Sequence, residues 1–316
     1  MTNITKDTLV NEIKSNHFTN KQINKIYCLT TGVKYEDKII DYISSKGKGP
    51  SQVAERIFNK MLSTGDIVKY SSYIENPKNY NYLGKEGNLF DKFSYFSNDL
   101  INFIIRLEPS VSRISTGKGE ILLSSMLGDI TDSDNGGDIK TPNKLIEVKN
   151  RGAIPMGQKA QFNINTMNNL YEVMEKRLNP KLNKPIYFKN FKGKRPFHRM
   201  GLIYEDIYKE DKFLASCYVE FLWETLKQLY KGLNFEGLVI KNYITSSKME
   251  WEKLELDICK EIVNFYINSE NFEEILFLDD KKGDYKIIPN KDLTYLLGNE
   301  IKITFKDGLP RWSYKF

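Results

Sequence analysis

The stretch GGDIKTPNKLIEVKN, residues 136–150, sets Asp138 behind two glycines, follows it with a short polar turn, and then alternates Ile146 and Val148 with Glu147 and Lys149. Side chains alternate faces along a strand, so Glu147 and Lys149 project together while Ile146 and Val148 pack on the other side. The turn TPNK contains a proline and has hairpin length, so it folds GDIKT back along KLIEVKN and brings Asp138 beside Glu147. Two converging carboxylates outline a site for a hard cation: Mg²⁺, with Mn²⁺ as a substitute. Such a cation neutralises a scissile phosphate, lowers the pKa of a water and offsets charge on the departing oxygen. A lysine beside it can orient or deprotonate that water, because burial and cation charge depress its pKa, or can stabilise the phosphorane as an ammonium. A Glu-X-Lys triplet on its own also fits a solvated strand face. Asp138 nine residues before Glu147, and Glu120 near the start of an earlier helix after Gly119, turn the balance toward chemistry.

Asp138 followed by Glu147-Val148-Lys149 resembles the PD-(D/E)XK nuclease superfamily, and Glu120 matches the acid that superfamily often carries on its first core helix. The likeness spans about residues 95–180 and the strand near 275–279. It implies a restriction-endonuclease-like α/β core of helix, mixed sheet and helix. By the same resemblance Asp138 and Glu147 are metal ligands, Lys149 the water-activating amine, and Glu120 a contact to the metal or its water. Gly137 stands where the pattern has proline.

Two stretches suggest a nucleic-acid contact. The loop RGAIPMGQKAQ (151–161) offers Arg151 and Lys159, with Gly152 and Gly157 allowing backbone amides close to an anion. The stretch 181–199 holds Lys181, Lys184, Lys189, Lys192, Lys194, Arg195 and Arg199 and no acid. Tyr187, Phe188, Phe191 and Phe197 interleave with these cations, as expected where phosphates are neutralised and bases stack, although a solvated loop has the same composition. His198 lies in this patch and His17 far from it, which leaves a histidine triad or zinc site nothing to build on. TGKGE lacks P-loop spacing, so an ATPase is excluded.

The elements that must position these residues follow from periodicity. Residues 1–72 read as short helices, ending in GPSQVAERIFNKMLSTGDIVKY: a helix capped by Ser51 with Val53, Ile57 and Met61 on one face, a stop at Thr64-Gly65, and a strand-like IVKY. That order is either a plain helical cap or a winged-helix domain that positions DNA. Residues 73–90, polar and without period, are expected to be a linker, and 91–316 the nuclease domain. Within it an apolar helix carries Leu100, Phe103 and Ile104, another carries Met167, Leu170, Tyr171, Met174 and Leu178, and ILFLD (275–279) is a buried strand. A basic, helical insertion spans about 180–270, its core stripes being Leu214, Tyr218, Phe221, Leu222, Thr225, Leu229 and Trp251, Leu254, Ile258, Ile262, Phe265. The tail, KKGDYKII, IKITFKDGLP and RWSYKF, reads as β-hairpins.

Bulk properties agree with these readings. The 316 residues are 40% hydrophobic and 28% charged, a globular composition, and the net charge of +6 permits a polyanionic partner. Cys28, Cys217 and Cys259 are scattered and odd in number, which points to buried thiols in a reducing compartment. With no signal peptide and no membrane-length apolar run, the expected location is the cytoplasm, or a host cytoplasm or virion for a phage protein. The sequence therefore predicts a Mg²⁺-dependent DNA endonuclease. Two alternatives stay open: a phage virion or DNA-packaging scaffold that keeps the fold with a vestigial site, and a junction resolvase acting as a homodimer.

Overall fold

The computed structural model describes residues 35–46, 51–107, 119–133, 136–150, 172–187, 196–230, 232–306 and 309–316. Its principal helices are α1 (Tyr35–Ser45), α2 (Ser51–Thr64), α3 (Ile67–Tyr73), α4 (Asn98–Ile105), α5 (Glu120–Met126), α6 (Pro196–Glu210), α7 (Lys212–Leu229) and α8 (Trp251–Glu270). The strands are β1 (Glu86–Asn88), β2 (Thr131–Asp132), β3 (Ile139–Lys140), β4 (Leu145–Asn150), β5 (Ile244–Thr245), β6 (Lys248–Met249), β7 (Glu274–Leu278), β8 (Asp284–Pro289), β9 (Ile301–Lys306) and β10 (Leu309–Tyr314). The chain divides into two compact units, one of residues 1–150 with 271–289 and Phe316, the other of 151–270 with 290–315.

The first unit is α/β. Its six-stranded sheet has the order β1-β8-β7-β4-β3-β2, with β4 parallel to β7 and every other pair antiparallel. Ile275, Leu276, Phe277 and Leu278 are all buried, the continuous apolar run of a strand covered on both faces, and β7 is accordingly central. Leu276 and Leu278 of β7, with Ile146 and Val148 of β4, share one core with Ile39 of α1, Ile57 of α2 and Leu100 and Ile104 of α4. Ser97 starts α4 by accepting from Leu100 N at 3.2 Å, and its hydroxyl donates to the buried Asp66 at 2.5 Å.

Three sequence expectations are corrected in this unit. IVKY is not a strand: residues 67–73 are α3, with Ile67, Tyr70 and Ser71 buried at helical spacing and Val68 45% exposed. A helix–turn–helix–strand order is thus absent from 51–73, although the stop is where expected, at Gly65 with φ +78°. Residues 73–90 are not a linker. Tyr80, Leu83 and Leu89 are buried, and Glu86–Asn88 forms the edge strand β1 on β8. Nor are α1, α2 and α3 a separate domain, since their apolar faces share the core of the sheet. Residues 1–34 lie outside the described residues.

The second unit is mainly helical, as expected of 180–270. Asp211 caps α7, its carboxylate accepting from Phe213 N at 2.8 Å and Leu214 N at 3.0 Å. The two stripes bury Leu214, Tyr218, Leu222 and Leu229 on α7, and Leu254, Ile258 and Ile262 on α8. Residues 172–178 are helical, while Met167, Leu170 and Tyr171 lie outside the described residues. Of the tail, KKGDYKII supplies the β7–β8 hairpin of the first unit, and β9–β10 is a hairpin of the second. Cys259 is buried but Cys217 is exposed, against expectation, and Cys28 lies outside the described residues. No described helix is long and apolar enough to cross a membrane.

Candidate active site

The β3–β4 hairpin forms in the register the turn dictates, Ile139 opposite Ile146 and Lys140 opposite Leu145, closed by Thr141 N donating to Lys144 O at 2.9 Å. One residue before β3, Asp138 N donates to Ile146 O at 2.9 Å, and Val148 N donates to Asp138 Oδ2 at 2.8 Å. The carboxylate is thus tied to the strand that carries its partners. On β4 the alternation is as read: Ile146 and Val148 pack into the core, while Glu147 and Lys149 form an ion pair on the other face. Lys149 Nζ also lies 3.8 Å from Asp138 Oδ2. Glu147 is only 4% exposed.

Glu120, 2% exposed, opens α5. Gly119 before it has φ +88° and donates its N–H to Ile105 O at 3.0 Å. A Cβ there would lie 2.4 Å from Leu278 Cδ2 and 3.9 Å from Val148 Cγ1, so the start of α5 sits tight against β7 and β4. Gly137 does the same for Asp138: at φ +63° its Cβ would lie 2.9 Å from Ile146 O. Proline, fixed near φ of about −65°, is incompatible with that backbone, which accounts for the glycine in its place. Both glycines escape a reading that looks only for chemical groups, yet each was signalled by standing directly before an acid.

Burial by itself would pull the Lys149 ammonium down, but the charges of Asp138 and Glu147, the hydrogen bond it donates to Glu147 and the charge of Glu120 together hold it above its ordinary value. Four groups therefore meet in one unit: Asp138, Glu147, Lys149 and Glu120. The donor set fits Mg²⁺, which takes one or two carboxylates and completes its shell with water and phosphate oxygens. Among the described residues no group of three or more Asp, Glu, His or Cys could hold a metal by itself, so Asp138 and Glu147 do not form an all-protein cage.

The proposed nucleic-acid contacts fare differently. Arg151, Lys159, Lys189, Lys192, Lys194 and Arg195, with Phe188 and Phe191, lie outside the described residues. Arg199 is half-buried on α6. Tyr187 is 42% exposed. Phe197 is corrected: it is 1% exposed and packs edge-on to Phe305 at 5.2 Å, because it belongs to the buried helical stripe Phe197, Met200, Tyr204, Ile207 of α6. His198 stacks on Trp251, ring centroids 4.5 Å apart and planes at 14°, and so serves packing.

No family model matches the chain, and no solved structure matches it. Over 100 residues, 32% of this chain, it is 32% identical to "Calcium-dependent protein kinase 11" of Oryza sativa subsp. japonica. The match spans 17% of that kinase.

Proposed function

We propose that the chain is a metal-dependent DNA nuclease whose first unit is a restriction-endonuclease-like core. The observation that carries this reading is the meeting of Asp138, Glu147, Lys149 and Glu120 in one cluster, with Lys149 ion-paired to Glu147 and 3.8 Å from Asp138. Asp138 and Glu147 would hold Mg²⁺, which supplies charge against the scissile phosphate and a lowered water pKa. Lys149, ion-paired to Glu147, would place a positive charge where negative charge develops on the phosphorane. Val148 N–H fixes Asp138, and the packed start of α5 fixes Glu120, so the cluster is oriented before substrate arrives.

A second reading has its own support: Lys149 is already ion-paired to Glu147 within the cluster, as in a DNA-contacting scaffold whose site is vestigial. The test is incubation of the full chain with supercoiled plasmid, linear duplex and single strands, each with Mg²⁺, Mn²⁺ or EDTA. The nuclease reading expects cleavage with Mg²⁺ that EDTA abolishes, with nicked or linear plasmid identifying internal cuts. Binding without cleavage of any substrate would select the scaffold.

A further inference from the structure

A basic cleft between α2 and α4 adjoins the acid cluster through the backbone. Arg56 and Lys60, one helical turn apart on α2, line it together with Asn102, Phe103 and Arg106 of α4 and its C-terminal end, and a single acid, Asp99. The cleft measures about 370 Å³. Lys60 Nζ lies 5.9 Å from the Phe103 ring centroid, which holds the ammonium on the cleft wall. Asn102 Oδ1 is buried and has no hydrogen-bond partner.

The cleft's position follows from three contacts. Arg106 succeeds Ile105, whose carbonyl accepts from Gly119 N at 3.0 Å, one residue before Glu120. Arg106 Nε donates to Asp280 O at 3.3 Å in the turn that follows β7. In the parallel pairing of β4 and β7, Asn150 stands opposite Leu278, so that turn leaves the sheet at the same end as Lys149. Another cleft, lined by Tyr73, Lys78, Tyr82, Lys92 and Tyr95, also mixes cations with rings. Lys78 and Lys92 lie 5.4 and 5.3 Å from the Tyr82 ring centroid, and Lys92 Nζ donates to Tyr82 O at 3.2 Å.

We propose that the cleft of Arg56, Lys60 and Arg106 binds a backbone phosphate of the DNA strand that lies across the acid cluster. The proposal rests on reading that cluster as a DNA-cleaving site. Its test is the salt dependence of affinity of the full chain for a fluorescein-labelled duplex in EDTA, beside a cleavage assay in Mg²⁺. In Arg56→Gln/Lys60→Gln/Arg106→Gln the slope of log K against log salt becomes shallower by about 2.7, three contacts at about 0.9 each. A rise from 50 to 200 mM salt then weakens this variant about 40-fold less than wild type. Arg56→Gln/Arg106→Gln changes only exposed residues and loses about 1.8 of slope, which keeps the test available if the triple variant misfolds. Arg56→Lys/Arg106→Lys retains the wild-type slope. Lys78→Gln/Lys92→Gln removes from the other cleft as much charge as the double variant removes, and shifts the slope by less than about 1. An unaltered slope in the first two variants, or an equal loss in this control, overturns the proposal. If wild type binds and cleaves while the triple variant matches it, the phosphate site falls and the nuclease reading stands. If wild type binds without cleaving and the triple variant loses slope, the phosphate site stands and the chemistry falls. No binding by wild type ends both.

Discussion

Gly137→Ala probes the backbone that aims Asp138. At φ +63° a residue with a Cβ costs about 1–2 kcal/mol relative to glycine. The added Cβ would also lie 2.9 Å from Ile146 O and 3.1 Å from Ile146 C and N, all backbone atoms that cannot rotate aside. Relief requires β3 to part from β4, and the adjacent Asp138 N to Ile146 O bond of 2.9 Å weakens with it, adding about 1 kcal/mol. The sum is about 2–3 kcal/mol, which at about 2–4 °C per kcal/mol lowers the melting temperature by about 5–10 °C. Gly65→Ala is the internal reference, because Gly65 has φ +78° and nothing within 4 Å of its Cβ, so only the conformational term applies. Thermal unfolding followed by far-UV circular dichroism compares the two. If Gly137→Ala melts no lower than Gly65→Ala, the close approach of Gly137 to β4 is refuted. Gly137→Pro, unable to keep a positive φ, destabilises more than either.

Alanine at Asp138, Glu147 or Lys149 lowers Mg²⁺-dependent cleavage at least about 100-fold while the chain stays folded, and pairs of these changes lose little more because the residues act as one unit; Glu120→Gln loses about 10-fold, and steady-state rates beside circular dichroism check each. A chain that starts at residue 91 does not fold, since it lacks buried Ile39, Ile57, Met61, Tyr70 and Leu83 at about 1.5–3 kcal/mol each against a net stability of about 5–15 kcal/mol; limited proteolysis reads the outcome. Burial pushes the Tyr285 hydroxyl, which donates to Leu83 O, up to about 12. A folded-state pKa raised above the unfolded value contributes stability that is full below the unfolded pKa of about 10 and is lost as pH rises through the folded one. The advantage of wild type over Tyr285→Phe, about 1 kcal/mol at neutral pH, therefore vanishes between about pH 10 and 12 in urea titrations.

The part of the molecule that was legible in the sequence is the part built from neighbours. Asp138, the TPNK turn and the Ile146-Glu147-Val148-Lys149 alternation are local, and period-2 geometry places them without knowledge of the rest. The α7 and α8 stripes were legible for the same reason, being long enough to reveal their period. IVKY was not: its three β-branched and aromatic residues suit a strand, and only the burial of Ile67, Tyr70 and Ser71 against the rest of the unit decides for a helix. Residues 73–90 looked like a linker because their partner is remote. Gly87 pairs with Tyr285, nearly two hundred residues later, and polar Glu86 and Asn88 flank it at an edge where apolar alternation is not needed. Phe197 was misread because charge interleaving and helical period overlap in the same stretch, and the buried positions of α6 obey the period.

The reading of Asp138 and Glu147 as a cation site that meets DNA is tested most directly by metal-linked affinity. Duplex binding is measured at matched ionic strength with EDTA and with Ca²⁺, a hard oxygen-seeking cation, for wild type and Asp138→Asn. Two carboxylates repel a phosphate until a cation joins them, so wild type binds at least about tenfold tighter in Ca²⁺, equivalent to about 1.4 kcal/mol, and Asp138→Asn removes that gain. Equal wild-type affinity in EDTA and Ca²⁺, or a gain that survives in Asp138→Asn, would contradict it.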